Sequence, residues 1–145
     1  MKQVIGRSID IFWSDKMEKR MSYEEFLWRV RDGITDDEGK SPVIPVLKLF
    51  QVRWRSEVIY YLFTSESARF NEIKFNLQGI TSTMLSATLK DLIDLGLIQK
   101  NTVADEAAHV EYSLTEKGND LLPIYYEISN WGFEYPVSLP KKAKK

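Results

Sequence analysis

From Trp54 onward, helix-spaced apolar stripes are interrupted by one pair of alternating strand patterns, in the order helix, helix, helix, hairpin, helix. That order predicts an α+β fold, mostly α, on the winged helix-turn-helix plan: two short helices packed at a steep angle, a two-stranded β-hairpin wing, and helices at the termini. Charge is also segregated along the chain. Residues 48–90 carry net +3, residues 91–135 net −7 and the last ten residues net +4, within a chain of net charge −1. Such polarity lets one face be positive while the whole stays near neutral; the alternative is a solvated surface with chance clustering.

The first 40 residues read as an N-terminal extension, an arm plus a short helix, with dimerisation one role open to it. Val4 to Trp13 alternates loosely through Ile9, Ile11 and Trp13, the pattern of a short strand or ordered arm. Ser22 and Glu25 form a capping box, Phe26, Leu27 and Val30 follow as an apolar stripe, and Gly33 supplies a left-handed stop. Residues 35–40 are acidic and polar, a loop. Pro42 and Pro45 mark the entry to a helix carrying Val46, Leu47, Leu49 and Phe50. Trp54, Val58, Tyr61 and Leu62 have the spacing of a buried helix face, broken at Ser65-Glu66-Ser67. Phe70, Ile73, Lys74 and Leu77 predict a short helix stopped at Gly79. Thr81 is placed to cap the next helix, whose stripe is Leu85, Leu89 and Leu92 and whose stop is Gly96. Leu97 to Val103 and Val110 to Leu114 predict two strands joined by a small acidic turn. Thr115 opens a final helix with Leu121, Leu122, Tyr125, Ile128 and Trp131 on its apolar side, and Pro123 falls where it would kink that helix. The domain is thus expected over 41–135, with 136–145 a flexible basic tail.

Composition removes several function classes. The chain has no cysteine, which excludes disulfides, thiolate zinc sites and cysteine nucleophiles. Its one histidine, His109, removes multi-histidine metal sites, and no nucleophile or orienting partner stands near it in sequence. Wing surface is therefore its expected place, not general-base catalysis. A glycine-rich phosphate loop is absent, and Asp36-Asp37-Glu38 lacks the alternating ligands of an EF-hand loop. No cofactor, metal or enzymatic activity is expected. The longest apolar run, Val58 to Phe63, is six residues, against roughly 20 for a membrane helix. With no signal-peptide pattern at Met1, the expectation is a cytoplasmic protein without a membrane partner.

Six segments in order carry a resemblance: Trp54 opening a helix, Arg69–Lys74 (RFNEIK), Gly79–Leu92 (GITSTMLSATLKDL), Leu95–Ile98 (LGLI), Val110–Gly118 (VEYSLTEKG) and Trp131–Gly132. In these, residues 41–133 resemble the HxlR family of winged-helix transcriptional regulators, relatives of the MarR group. The resemblance implies a homodimeric DNA-binding protein acting on nearby promoters, with Thr81 to Leu95 as recognition helix, Asn101 to His109 as wing and the terminal helices as dimer interface. Many family members open the domain with Cys-Pro-Val and use the cysteine as a sensor; here the stretch is Ser41-Pro42-Val43. The family's usual basic residue in the recognition helix is replaced by Thr83. Its wing prolines and arginine are replaced around Ala107, Ala108 and His109, beside the acidic Asp105 and Glu106.

On a helical wheel the recognition helix turns its leucines one way and Thr83, Ala87, Lys90 and Asp94 the other, with Ser86 flanking. The candidate DNA-binding residues are Arg69, Thr81, Ser82, Thr83, Ser86, Ala87, Lys90 and His109. Thr83 and Ser86 suit hydrogen bonds to bases or phosphate, Ala87 a thymine methyl, and Lys90 guanine or phosphate. Arg69 reads either as a phosphate clamp, with Lys74 as second candidate, or as an internal partner of Glu66 or Glu72. Lys48, Arg53 and Arg55 either broaden a basic face or are solvated surface. Tyr125, Ile128 and Trp131 are the candidate dimer interface. Trp54, Tyr60, Tyr61, Tyr125, Tyr126, Trp131 and Phe133 read as core or interface, or as the lining of an effector pocket between dimer-forming helices for an unknown small molecule. Two functions stay open: a homodimeric, sequence-specific regulator on a palindromic operator, or a winged-helix protein–protein interaction module.

Overall fold

The computed structural model describes residues 20–33, 40, 42–104 and 107–138. The expected arm over Val4–Trp13, the acidic loop with Asp36-Asp37-Glu38, Ser41, the wing-tip acids Asp105 and Glu106, and the tail lysines lie outside the described residues. The chain forms two compact units, Met1–Lys48 and Leu49–Lys145.

In the first unit, α1 spans Tyr23–Asp32. Ser22 Oγ accepts the Glu25 N–H at 3.1 Å, while the Glu25 carboxylate accepts from Arg29 one turn on at 2.8 Å. Gly33 ends the helix at φ 83°, the left-handed region where a Cβ is disfavoured. Helix α2, Val43–Gln51, starts directly after Pro42, and its last three residues belong to the second unit. Pro45 sits in its first turn, where a missing N–H costs nothing.

The second unit holds α3 (Arg55–Ser65), β1 (Ser67–Ala68), α4 (Phe70–Asn76), α5 (Ser82–Asp94), β2 (Ile98–Val103), β3 (His109–Leu114), α6 (Glu116–Asn119) and α7 (Leu122–Glu134). The sheet is antiparallel in the order β1-β3-β2, with Ile98 opposite Leu114 and Val103 opposite His109. It has one strand more than the predicted hairpin. Ser67 and Ala68 pair with Ser113 and Tyr112, so the break after α3 is itself a sheet edge.

The core is where the predicted stripes meet, except that in α3 Ile59, outside the predicted stripe, is fully buried and Tyr61, within it, is only half-buried. Val58, Ile59 and Leu62 of α3, Ile73 of α4, Leu85, Leu89 and Leu92 of α5, and Leu97, Ile98 and Leu114 at the hairpin root are all buried. Trp54 joins them from outside the helix proper, at its N-cap with φ 73°. Thr88, also buried, satisfies its hydroxyl on the Met84 carbonyl one turn back at 2.8 Å.

The last helix departs from expectation. Thr115 caps only a single turn, its Oγ1 accepting the Gly118 N–H at 3.1 Å, and the chain breaks at Asp120 and Leu121 before α7. Pro123 therefore stands in the first turn of a new helix and kinks nothing, because N–H groups there lack intrahelical acceptors in any case. Gly118 lies against the wing root, where a Cβ would collide with the Leu97 carbonyl oxygen.

Candidate nucleic-acid interface

The candidate reading head is assembled from α4, a five-residue connection and α5. At the start of α4 the Arg69 N–H donates to the Glu72 carboxylate at 2.6 Å. Gly79 turns the chain at φ 93° beside the edge of the Trp54 ring, and Ile80 is buried as the anchor of the turn. Thr81 Oγ1 then accepts the Met84 N–H at 3.1 Å and fixes where α5 begins. With Leu85, Leu89 and Leu92 locked in the core, Ser82, Thr83, Ser86, Ala87 and Lys90 all face outward. The structure thus brings six of the eight predicted DNA-binding residues, Thr81 to Lys90, onto one short surface.

That surface is small and polar, apart from its one cation. Lys90 donates to Asp94 at 2.6 Å, and this bond with the aspartate's charge pushes the ammonium further above its ordinary value. Lys90 is thus already engaged by Asp94 on its own helix. Asp91 is bridged by Arg55 at 3.1 Å, which ties the start of α3 to the end of α5.

Beside α5 a cleft of about 310 Å³ opens toward the wing, floored by Phe70, Leu89, Ile93 and Tyr112, with Ser86, Lys90 and Lys100 on its rim. Lys100 had escaped the sequence reading. Strand alternation places it two residues beyond buried Ile98 on the same face, opposite Tyr112, and that periodicity is the signal that would have found it.

Arg69 and His109 meet at the loop end of the β2–β3 ladder, where His109 pairs with Val103. Arg69 Nη2 lies 3.0 and 3.2 Å from the two ring nitrogens of His109. The same ring reaches Glu111 Oε1 at 2.9 Å through Nε2 and the Ala107 carbonyl at 3.1 Å through Nδ1. His109 thus has an orienting carboxylate two residues away, on its own face of β3, a partner the sequence reading did not credit. Ser67 Oγ donates to the other Glu111 oxygen at 2.8 Å. The hydrogen bond from His109, then that from Ser67, holds the Glu111 carboxyl below the usual carboxylate range. The cluster joins β1, α4 and the wing, and the His109 side chain is only 14% exposed.

The predicted interface residues of α7 divide. Tyr125 turns into its own domain, between the rings of Phe50, Tyr60 and Phe63, and its hydroxyl donates to the Ser56 carbonyl at 3.1 Å. Burial pushes its phenol up to about 12. Ile128 and Trp131 are instead 56% and 57% exposed, and Tyr135, its ring 5.4 Å from that of Trp131, extends the apolar face they begin. Among the described residues no group of acids and histidine could hold a metal ion, and no helix is long and apolar enough to cross a membrane.

The profile of the HxlR-like helix-turn-helix family matches residues 49–138, the stretch that holds this head and wing. The chain belongs to that family. The uncharacterized HTH-type transcriptional regulator YdzF of Bacillus subtilis is 36% identical to this HxlR-like chain over 93 residues, 64% of the chain and 85% of the relative. An uncharacterized HTH-type transcriptional regulator of Halalkalibacterium halodurans is 36% identical over 112 residues, 77% of the chain and 95% of its own length. The reduced form of the transcriptional regulator YodB from B. subtilis superposes with a TM-score of 0.59 at 27% identity, over 63% of this chain and 89% of that one. These relatives are transcriptional regulators, not enzymes. The HxlR-like chain is a helix-turn-helix transcriptional regulator with the winged-helix fold.

Proposed function

We propose that this regulator binds duplex DNA sequence-specifically as a homodimer, with α5 of each copy in a major groove of a palindromic operator. The observation that carries the reading is the outward face of α5: Ser82, Thr83, Ser86 and Ala87 are small enough for close approach to base edges, on a helix held by a buried leucine stripe. Thr83 and Ser86 read bases, Ala87 meets a thymine methyl, and the Thr81 and Ser82 end of the helix faces phosphate. Lys90 and Lys100 grip a phosphate from the two rims of the cleft. Arg69 and His109 brace the wing where its loop begins, with Arg69 on the exposed side toward the backbone. The functional domain is 41–135, flanked by the extension and the basic tail, and such a regulator works in the cytoplasm beside its promoter.

Ile128 and Trp131 support the dimer, since a small monomer rarely leaves so much contiguous apolar surface in water. Two recognition helices then read half-sites one turn apart, about 34–36 Å. The test is a titration against the protein's own upstream region with nonspecific competitor. Thr83→Ala and Ser86→Ala should change the ranking of operator variants, each good base contact being worth roughly 1–3 kcal/mol. Absence of duplex binding at low salt, with all variants alike, would overturn the reading and leave a protein-docking module.

A further inference from the structure

The DNA-facing surface leaves one open groove unexplained, on the side of the domain where α3, the end of α4 and α7 come together. Its volume is about 550 Å³, within the range of small-molecule sites. Tyr60 and Tyr125 form its wall, rings stacked at 6.0 Å and 24° apart, and Leu77 and Ile128 extend the apolar lining. Most polar groups around it already have partners. The Tyr125 hydroxyl donates to the Ser56 carbonyl, and Asn76 Nδ2 donates to the Tyr61 hydroxyl at 3.0 Å.

Glu57 is the charged exception. Its carboxylate lines the groove and acts electrostatically on the Tyr125 phenol. Among the described residues it has no cationic partner, and no lysine or arginine lines the groove. An anion placed here would meet an uncompensated carboxylate. A cation would meet that carboxylate beside two tyrosine rings, of which Tyr60 is the more exposed.

We propose that this groove is a ligand site for a lipophilic aromatic cation, its rings against Tyr60 and Tyr125 and its charge toward Glu57. Asn76 and Leu77 end the helix that leads into the Gly79 turn and α5, so an occupant touches the support of the recognition helix. The regulatory meaning of the site rests on the DNA reading above; the binding itself does not.

Calorimetric titration of the DNA-free full chain with tetraphenylphosphonium and with tetraphenylborate, ions of nearly equal shape and opposite charge, tests the proposal. The phosphonium should bind about tenfold more tightly than the borate. Glu57→Gln should cut its affinity by about three- to fivefold, the size of an exposed charge pair, and Tyr60→Ala should weaken both ions. Circular dichroism of each variant checks the fold. Equal affinity for the two ions, no binding of either, or phosphonium binding untouched by both substitutions would overturn the proposal. Because DNA is absent from the titration, its failure leaves the DNA reading standing, and the converse also holds.

Discussion

Replacing Gly118 by alanine sets two effects of opposite sign against each other. In an exposed helix the change would stabilise by about 1 kcal/mol through propensity. Here the added Cβ would run into the Leu97 carbonyl oxygen and come within 3.1 Å of Leu114 Cδ2. The first neighbour is backbone and cannot swing aside, so α6 must move away from the wing root. That motion pulls on the Thr115 N–H to Leu97 carbonyl bond at 3.0 Å and the Lys117 to Leu95 carbonyl bond at 2.8 Å. Overpacking costs about 1–3 kcal/mol and a lost hydrogen bond about 1 kcal/mol. After the propensity gain, a net loss of about 1–3 kcal/mol remains. At roughly 4 °C per kcal/mol this lowers Tm by about 4–12 °C. The assay is urea unfolding followed by far-ultraviolet circular dichroism at fixed protein concentration, with Gly132→Ala as control, since a Cβ at Gly132 meets nothing within 4 Å. A Gly118→Ala protein as stable as the parent would refute the close-approach argument.

Lys100→Ala should weaken binding to all duplexes alike and flatten the dependence of log affinity on log salt by about 0.9 for the phosphate released; an unchanged slope places Lys100 off the backbone. Sedimentation should find a stable dimer at micromolar concentration, and Trp131→Glu should yield smaller species; a folded monomer in the parent argues against the interface on α7. Glu111 has a lowered carboxyl, so its bonds to Ser67 and His109 contribute stability above the ordinary carboxylate range, and that contribution is lost as pH falls through the lowered value. Glu111→Gln should accordingly flatten the acid limb of stability measured by urea unfolding across pH, and an unaltered limb would exclude this cluster as its source. Diamide, a thiol oxidant, should leave operator affinity of the purified protein unchanged, because the chain has no cysteine.

Much of the head was legible because its signals are local. The leucine stripe of α5, the Thr81 cap and the Gly79 turn are spaced by helix geometry itself, and burial of Leu85, Leu89 and Leu92 follows from that period wherever the helix packs. The outward direction of Thr83, Ser86 and Lys90 was legible for the same reason.

What escaped depends on partners far away in the chain. Strand β1 is two residues long, too short to show a period, and exists only because β3 offers it an edge 44 residues on. Pro123 reads as a kink or as a first-turn residue depending on where the preceding turn stops, and that turn ends at Asn119, three residues short of α7. Tyr125 and Trp131 share one apolar stripe in sequence, yet the rings of Phe50, Tyr60 and Phe63 draw the first inward and leave the second exposed. Residue spacing along a helix or strand therefore determined which faces exist and what chemistry they carry, because it follows from backbone geometry alone. Which face finds a neighbour, how Arg69 comes to lie on His109 and where Glu57 stands beside two tyrosines were decided by the tertiary structure, because those contacts are set by packing between segments that share no local period.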